Sequence, residues 1–193
     1  KVIKGDLVIS AFQPKSVLVQ VLFEPKTLLR DTLTYDLTAW AIPYVYGLEA
    51  YAIKGDVKAN PNSKIGKPKS IKFSSDKPYA YILPWKGIKD LRFLAYLFKN
   101  DIVARVSMES FSIDEKSYDP GTLVITRKGN EKKGIKFDDV IQNGVKIFNR
   151  SLTPAFSGFV SKGKDFGSSS MKVVKRPKIG LVAGNAVRSY SFG

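Results

Sequence analysis

The 193-residue sequence contains neither cysteine nor histidine. Without cysteine, the chain has no disulfide and no thiolate metal site. Without histidine, it cannot form a triad that uses a histidine base, and zinc catalysis is disfavoured because zinc sites draw mostly on His. No apolar run approaches the ~20 residues that a membrane helix needs, so we expect no membrane segment. The first ten residues, "KVIKGDLVIS", also lack the apolar core of a signal peptide.

Acidic residues are scarce relative to basic ones. The chain has 32 basic and 17 acidic residues, for a net charge of +15, and lysines cluster at 64–72 and 127–136. One hypothesis is a face that binds polyanions such as nucleic acid or acidic glycan. The other is a solvated, Lys-rich surface with basic loops, and this is the hypothesis that we favour. Arginine, rather than lysine, is the better reader of bases and phosphates, so we do not expect nucleic acid as the main partner.

The composition is that of a globular protein, with 44% hydrophobic and 12% aromatic residues. The run "DLVISAF" (6–12) predicts a buried strand. A helix is predicted after Pro14, with one apolar face and an end at Pro25; that face comprises Val17, Leu18, Val21 and Leu22.

The stretch "TYDLTAWAIPYVYG" (34–47) predicts a second helix. Asp36 is its expected N-cap, Trp40 is expected in the core, and Pro43 is expected to kink or end it. Gly47 suits the left-handed residue that follows a helix. The alternating residues 48–53 then predict a strand.

A polar stretch at 54–78 predicts a flexible loop or linker. A strand at 79–85, a helix opening at Asp90 and a strand at 102–108 predict a right-handed βαβ crossover. The apolar face of that helix is predicted to consist of Leu91, Leu94, Ala95 and Phe98.

Residues 111–126 predict a hairpin, with turn chemistry at Asp119-Pro120-Gly121 and "TLVIT" as the returning strand. Residues 137–148 predict a helix with Ile141, Val145 and Phe148 on one face. The Gly/Ser-rich segment 157–170 is expected to be mobile, and a strand followed by a turn is expected at 177–185.

Together these patterns predict an α/β fold of three layers, with a mixed or mostly parallel sheet, flanking helices and a Rossmann-like second half. The predicted organisation has four parts: a strand–helix unit at 1–54 that completes an α/β sheet, a linker at 55–77, a small α/β domain at 78–176, and the start of a further domain at 177–193.

No motif assigns a catalytic, cofactor-binding or metal-ligating residue. The Gly-rich turn at 180–184 lacks the spacing of a phosphate loop. The pair Asp138/Asp139 fits helix N-terminal charge, and the pair Asp114/Glu115 fits a hairpin turn. The sequon Asn149-Arg150-Ser151 has meaning only in a eukaryotic secretory context. Carboxylate or Ser–Lys chemistry remains open in principle, but no stretch favours it.

Three stretches carry a family resemblance: 4–25, 33–52 and 111–126, with Tyr35-Asp36-Leu37-Thr38-Ala39-Trp40 and the following Pro43 as the most specific element. They resemble the region that follows the catalytic domain in large bacterial zinc carboxypeptidase-like proteins, relatives of carboxypeptidase A. The tail 177–193 resembles the start of the class I glutamine amidotransferase-like domain that closes such proteins. The stretches 54–77 and 157–176 carry none of this resemblance.

The resemblance implies a secreted or periplasmic parent that is a zinc metallopeptidase. Its catalytic domain would lie upstream of Lys1 and its amidotransferase-like domain downstream, and both are the partners that we expect. The family's zinc ligands lie on a His-x-x-Glu motif and a later His, so none of them falls within these residues. We therefore expect a non-catalytic accessory domain that holds no cofactor itself, with zinc in the parent's catalytic domain. A polyanion-binding module is the alternative.

Overall fold

The computed structural model describes residues 6–25, 41–55, 57–58, 62, 77–131 and 136–180. The helices are α1 Ser16–Phe23, α2 Ile42–Tyr46, α3 Ile88–Lys99 and α4 Phe137–Phe148. The strands are β1 Ala80–Leu83, β2 Arg105–Ser107, β3 Phe111–Ile113, β4 Lys116–Tyr118, β5 Leu123–Thr126, β6 Thr153–Ala155 and β7 Met171–Val173. The chain is thus a mixed α/β protein.

Five strands form one sheet in the order β6-β1-β5-β2-β7, and β3 and β4 form a separate hairpin. Every strand pairing in the sheet is antiparallel. Strands β1 and β2 both run antiparallel to β5, so they are parallel to each other with β5 between them. Strands β5 and β6 are related in the same way through β1. The unit from β1 to β6 therefore contains two interleaved split βαβ crossovers, the connectivity of ferredoxin-like domains.

This topology corrects the prediction of a mixed or mostly parallel sheet with a Rossmann-like second half, because every pairing among the described strands is antiparallel. The predicted crossover from β1 through α3 to β2 exists, but the two strands are not neighbours because β5 lies between them. Strands β1 and β5 are buried along their whole length because both are inner strands covered on both faces. That continuous burial gives them the apolar runs that are also typical of parallel sheets.

One face of the sheet is covered by α3 and α4. Side chains from both helices, Phe93, Leu94 and Leu97 with Phe137, Ile141 and Val145, form a buried cluster against Tyr81, Leu83, Leu123 and Ile125 of the sheet. The predicted bounds of α4 are confirmed. The predicted face of α3 is wrong at Leu91 and Ala95, which are exposed. The helix instead turns Phe93 and Leu97 toward the sheet.

The opposite face of the sheet is covered by the β3–β4 hairpin and by residues 157–170. Phe166 is buried in a second cluster with Phe111, Tyr118, Ile82 and Val124. The segment 157–170 also hydrogen bonds to the hairpin, where the Ser161 amide donates to the Ser112 carbonyl at 2.8 Å. The predicted mobile segment is therefore a packed layer. The third layer is a hairpin with a loop, not a layer of helices.

The predicted hairpin over 111–126 is confirmed only in its first half. Its tight turn lies at Asp114 and Glu115, the acidic pair that fits a hairpin turn in the sequence analysis. Both residues have positive φ. The turn at 119–121 instead leads from β4 to β5, which belongs to the other sheet. The strand prediction for 123–126 is correct, but its partners are β1 and β2.

The described part of the first 55 residues contains helices α1 and α2 but no strand. The strands predicted at 6–12 and 48–53 are therefore not found among the described residues, and the side chains of both stretches are exposed. Helix α1 is confirmed after Pro14. Pro43 lies in the first turn of α2 and does not end it, and Gly47 is the predicted left-handed cap, with φ of 61°.

Several predictions fall outside the described residues. These are the roles of Asp36 and Trp40, most of the 55–77 linker, the lysines at 64–72, and all of 177–193 after Gly180.

Candidate functional site

A cleft of about 460 Å³ opens beside the end of β1. Three segments form its walls: residues 84–86 after β1, residues 116–122 around the end of β4, and Thr153 at the start of β6. We call it the Trp85 cleft, because Trp85 is its large half-exposed aromatic side chain, with 41% of its surface accessible. Lys86, Lys116 and Asp119 supply the charged groups of its lining.

Trp85 reaches this cleft because β1 ends before it. The sequence predicted a strand through residue 85, but β1 ends at Leu83. Pro84 follows and has no amide hydrogen to donate to a sheet ladder. The chain therefore leaves the sheet at Pro84 and places Trp85 at the surface beside the turn that leads into α3.

Buried Asp90 fixes the backbone next to Trp85. Its Oδ2 accepts hydrogen bonds from the Lys86 amide at 2.8 Å and the Gly87 amide at 3.0 Å. Its Oδ1 accepts a hydrogen bond from Arg150 Nη1 at 2.9 Å. The residue is 0% exposed. A buried carboxylate is stable only when its oxygens are paired in this way, so Asp90 holds the 85–87 turn in one conformation.

Tyr118 forms part of the opposite wall. Its ring stacks on Phe111 with the centroids 5.0 Å apart, and Phe111 packs edge-on against Phe166 at 5.5 Å. Tyr118 is 6% exposed. Within the described structure its hydroxyl has no hydrogen-bond partner. The hydroxyl itself is buried, so it does not open into the cleft, and Tyr118 contributes its ring to the wall.

The 119–122 turn at the rim of the cleft is also held by the fold. Thr122 Oγ1 donates a hydrogen bond to the Asp119 carbonyl at 2.7 Å. The Gly121 amide donates to the Ser107 carbonyl at 2.8 Å, and Gly121 has a φ of 90° that favours glycine. Hydrogen bonds therefore fix the backbone on both sides of the Trp85 cleft.

A second, shallower cleft of about 270 Å³ lies around Arg127 and Asp138. Arg127 makes a bidentate pair with Asp138, at 2.9 and 2.7 Å, and its Nη1 lies 3.1 Å from Glu131. Its Nε donates to the Pro78 carbonyl at 2.8 Å, and its guanidinium lies 5.0 Å from the centre of the Phe137 ring. The guanidinium group of Arg127 is thus engaged in contacts within the chain, so we assign Arg127 a structural role.

The charges of this cluster shift the pKa values of its members. Hydrogen bonding from Arg127 holds the pKa of Asp138 below its ordinary value, and the same contact raises the pKa of Arg127. Burial, together with the neighbouring Asp138 carboxylate, raises the pKa of Tyr81 from 10.0 to about 12. The Tyr81 hydroxyl donates to Asp138 Oδ1 at 3.2 Å. The cluster therefore ties the start of α4 to β1 and β5.

The structure shows where the residues that the sequence analysis considered as candidate sites lie. Asp138 lies in the first turn of α4 as predicted, but its main partner is Arg127. Asn149 is the left-handed residue that ends α4, and it is exposed. The lysine cluster at 127–136 is described only in part, because 132–135 lie outside the described residues. Sequence reasoning missed the Trp85 cleft. The proline before Trp85 was the available signal that the strand ends there.

In the ranges that the structure describes, no three His, Cys, Asp or Glu side chains form a group that could hold a metal ion. The helices of those ranges also include none with the length and apolar character that crossing a bilayer requires. Comparisons with known proteins give no match: no family model, no curated protein and no solved structure matches the chain.

Proposed function

We propose that this chain is a non-catalytic accessory domain that packs beside the catalytic domain of a zinc carboxypeptidase-like protein. The observation that carries the proposal is the apolar surface of the described residues between 7 and 53. Leu7, Val17 and Tyr51 are 73%, 72% and 83% exposed, and further apolar side chains of the same range are exposed as well: Ile9, Phe12, Leu18, Tyr44 and Ile53.

Such a surface favours a role in packing. Contiguous apolar patches mark interaction sites in monomeric proteins, and we propose that these side chains form one. The eight-residue helix α1 has no buried residue, although its sequence is almost entirely apolar. A short helix gains most of its stability from packing, so α1 needs a partner surface. We call the exposed apolar side chains of 7–53 the packing surface.

The resemblance suggests which partner would cover the packing surface. Two of its three stretches, 4–25 and 33–52, include the packing surface or lie next to it. In the proteins that these stretches resemble, the catalytic domain comes directly before this region. The occupant that we propose is therefore that upstream domain, and zinc would be held there by its His-x-x-Glu motif and later His. The parent would be secreted or periplasmic.

Reading the gene on both sides of this chain tests the assignment. We expect a His-x-x-Glu motif with a later His and a catalytic Glu upstream of Lys1, and an amidotransferase-like domain after Gly193. A start codon at Lys1, or an upstream region without zinc ligands, contradicts the assignment.

A second candidate is a polyanion-binding module, favoured by the net charge of +15. The edge strand β7 and its extension carry Lys172, Lys175, Arg176 and Lys178, with no acidic residue between 171 and 178. This candidate predicts binding to a polyanion such as heparin that weakens steeply as salt increases. Replacing Lys172 and Lys175 with glutamate should reduce both the affinity for the polyanion and the salt dependence of binding. Binding that does not respond to salt would rule it out.

A further inference from the structure

We propose that the outer edge of strand β7 binds an extended acidic peptide, which adds to the sheet as a further strand. The backbone of Val173 pairs with the backbone of the peptide, and the basic side chains around it pair with the carboxylates of the peptide. This inference rests on the second candidate function and deepens it, because it names the class of polyanion and the backbone groups that bind it. It is independent of the packing role.

The position of β7 in the sheet leaves its outer side open. Among the described strands, β7 is the last in the order and has β2 as its one neighbour. The Val174 amide donates a hydrogen bond to the Ala104 carbonyl at 2.9 Å, and the preceding residue Val173 pairs with Arg105. In an antiparallel ladder, residues that bond to the neighbouring strand alternate with residues whose N–H and C=O point away from it. Val173 therefore directs its N–H and C=O away from β2.

The neighbouring edge positions offer less to a partner than Val173 does. The Met171 amide donates to the Ser168 carbonyl at 3.2 Å, and the Met171 carbonyl accepts a hydrogen bond from Arg105 Nη1 at 3.4 Å. On the opposite edge of the sheet, the middle residue of β6 is Pro154, which has no amide hydrogen. Outward N–H and C=O groups on an edge strand are a template for pairing with another strand, so Val173 is the position where a strand can add.

The charge beside Val173 is positive and indicates an acidic partner. Residues 171–178 include no acidic residue and four exposed basic ones, which are Lys172, Lys175, Arg176 and Lys178. Glu109 lies at the start of β7, where its Oε1 accepts a hydrogen bond from Ser170 Oγ at 2.7 Å. The basic groups therefore lie toward the end of β7 that is away from this carboxylate. A partner must place its own carboxylates at that end.

The backbone groups of the edge favour a peptide over other polyanions. A peptide backbone offers both a C=O and an N–H to Val173, as in other cases of strand addition. Sulfate groups and ionised phosphate groups offer acceptor oxygens, which leave the Val173 carbonyl without a donor. The Val173 side chain is 45% exposed and can pack against an apolar side chain opposite it on the added strand.

A second copy of this chain is a poorer partner for the same edge. Pairing of two β7 edges would bring the same lysines together, and edge lysines are a common means of preventing such contacts. Pro177 has no amide hydrogen, so it limits the edge to a few residues. Because so short an edge forms few backbone hydrogen bonds, charge must contribute to the affinity, and binding should depend on salt.

Amide NMR of the isotope-labelled chain tests the proposal. The probe is an acetylated and amidated hexapeptide of sequence Thr-Glu-Val-Val-Glu-Thr, which has an acidic residue on each side of an apolar pair. We expect saturable binding with the largest amide shift at Val173, and a smaller shift at Val174, whose amide already donates to Ala104. Affinity should fall at least about threefold between about 50 mM and about 300 mM salt.

A pair of variants at one position separates the backbone from the side chain. Val173→Pro removes the outward N–H and leaves the bonds to β2, a substitution that edge strands accept. It should weaken peptide binding about tenfold or more. Val173→Ala keeps the N–H and should bind within about threefold of the unaltered chain. Both variants keep every charge, so both should bind heparin as the unaltered chain does.

Modified peptides make the test independent of how Val173→Pro folds. Methylation of both valine amides keeps the two carboxylates and removes the donor that faces β7, whichever valine supplies it. This peptide should bind at least about tenfold more weakly. The peptide with glutamine in place of both glutamates should bind at least about threefold more weakly, because it has lost its charge.

Four results would overturn the proposal. These are no saturable binding of the hexapeptide, equal binding of its methylated form, equal binding by Val173→Pro and Val173→Ala, or slow exchange of the Val173 amide in the free chain. If heparin binds with a steep salt dependence in any of these cases, the second candidate function stands and only the edge site is removed. If heparin does not bind either, both fail. The packing role is tested separately by the gene sequence.

Discussion

Single residues decide how the segments of this chain are joined. Asp90 binds the turn before α3 to Arg150 after α4, and Arg127 binds β5 to the start of α4. The sequence shows each charge but not its partner, because 60 residues separate Asp90 from Arg150 along the chain. Asp90 was predicted only as the start of a helix. Its buried carboxylate could not be predicted from local pattern.

Neutralising Asp90 should destabilise the fold. In Asp90→Asn the new amide group must face either Arg150 or the backbone amides of 86 and 87, so donors oppose donors on one side. We expect a loss of about 2–4 kcal/mol in the free energy of unfolding, measured by urea denaturation. The matched control is Asp139→Asn, an exposed carboxylate in the first turn of α4, which should cost less than about 1 kcal/mol. Equal effects of the two variants would contradict the role of Asp90.

Tyr81 should make the stability depend on pH at the alkaline end. Its pKa in the folded chain is about 12 and its ordinary value is 10.0, so the unfolded chain loses this proton first. The stabilising effect is complete below about pH 10 and is lost as pH rises toward 12, by at most about 1.4 kcal/mol per pH unit.

Comparison of variants isolates this effect from other titrating groups. Tyr81→Phe should lose less stability between pH 10 and pH 12 than the unaltered chain, as followed by urea denaturation at each pH. Tyr96→Phe is the control, since the Tyr96 hydroxyl donates to the neutral Val140 carbonyl and not to a carboxylate. Parallel curves for Tyr81→Phe and the unaltered chain would contradict the assignment.

At the scale of elements, the sequence predicted helices and turns that depend on neighbouring residues. It did not predict which strands pair with each other. The bounds of α4 follow from its apolar spacing and its two first-turn aspartates, and the structure confirms them. The Asp114–Glu115 turn was also predictable, because its chemistry lies in adjacent residues. The order of the strands was not, since antiparallel β5 inserts between β1 and β2. Nothing in the apolar run 123–126 indicates its neighbours.

The contact between α3 and α4 depends on Gly144. A Cβ atom at this position would lie 2.7 Å from a Tyr96 ring carbon and 2.8 Å from a Phe93 ring carbon. Gly144→Ala should therefore lower the free energy of unfolding by about 1–3 kcal/mol, although alanine favours helices. Asn143→Ala in the same helix is exposed and should be neutral or slightly stabilising. A stabilised Gly144→Ala variant would show that the two helices are not in close contact.

The β3–β4 turn holds a strained residue that glycine should relieve. Glu115 has φ of 60° and Asp114 has φ of 48°, in the left-handed region that favours glycine. We expect Glu115→Gly to raise the free energy of unfolding by about 0.5–1 kcal/mol. Lys116→Gly, one residue later in β4, should lower it because glycine weakens a strand. Differential scanning calorimetry distinguishes the two, and a destabilised Glu115→Gly variant would contradict the turn.

At the scale of the whole molecule, the described chain contains a sheet that is covered on both faces and a packing surface that is not covered. Helices α3 and α4 cover one face of the sheet, and the hairpin with residues 157–170 covers the other. The packing surface between 7 and 53 has large exposed apolar residues instead. The sequence predicted a buried strand at 6–12 from its apolar run and a second strand at 48–53 from its alternation. The exposed apolar residues of both stretches are equally consistent with burial against another domain.

Hydrogen–deuterium exchange is the most direct test of that account. The chain on its own would be compared with the longer protein that we propose, in which a catalytic domain lies upstream of Lys1. We predict that the amides of 6–25 and 41–55 exchange at least about tenfold more slowly in the longer protein, because the proposed catalytic domain would cover them. Residues 156–159, which include the exposed Phe159, serve as the internal control and should not change. Equal exchange of 6–25 and 41–55 in both proteins would contradict the packing role.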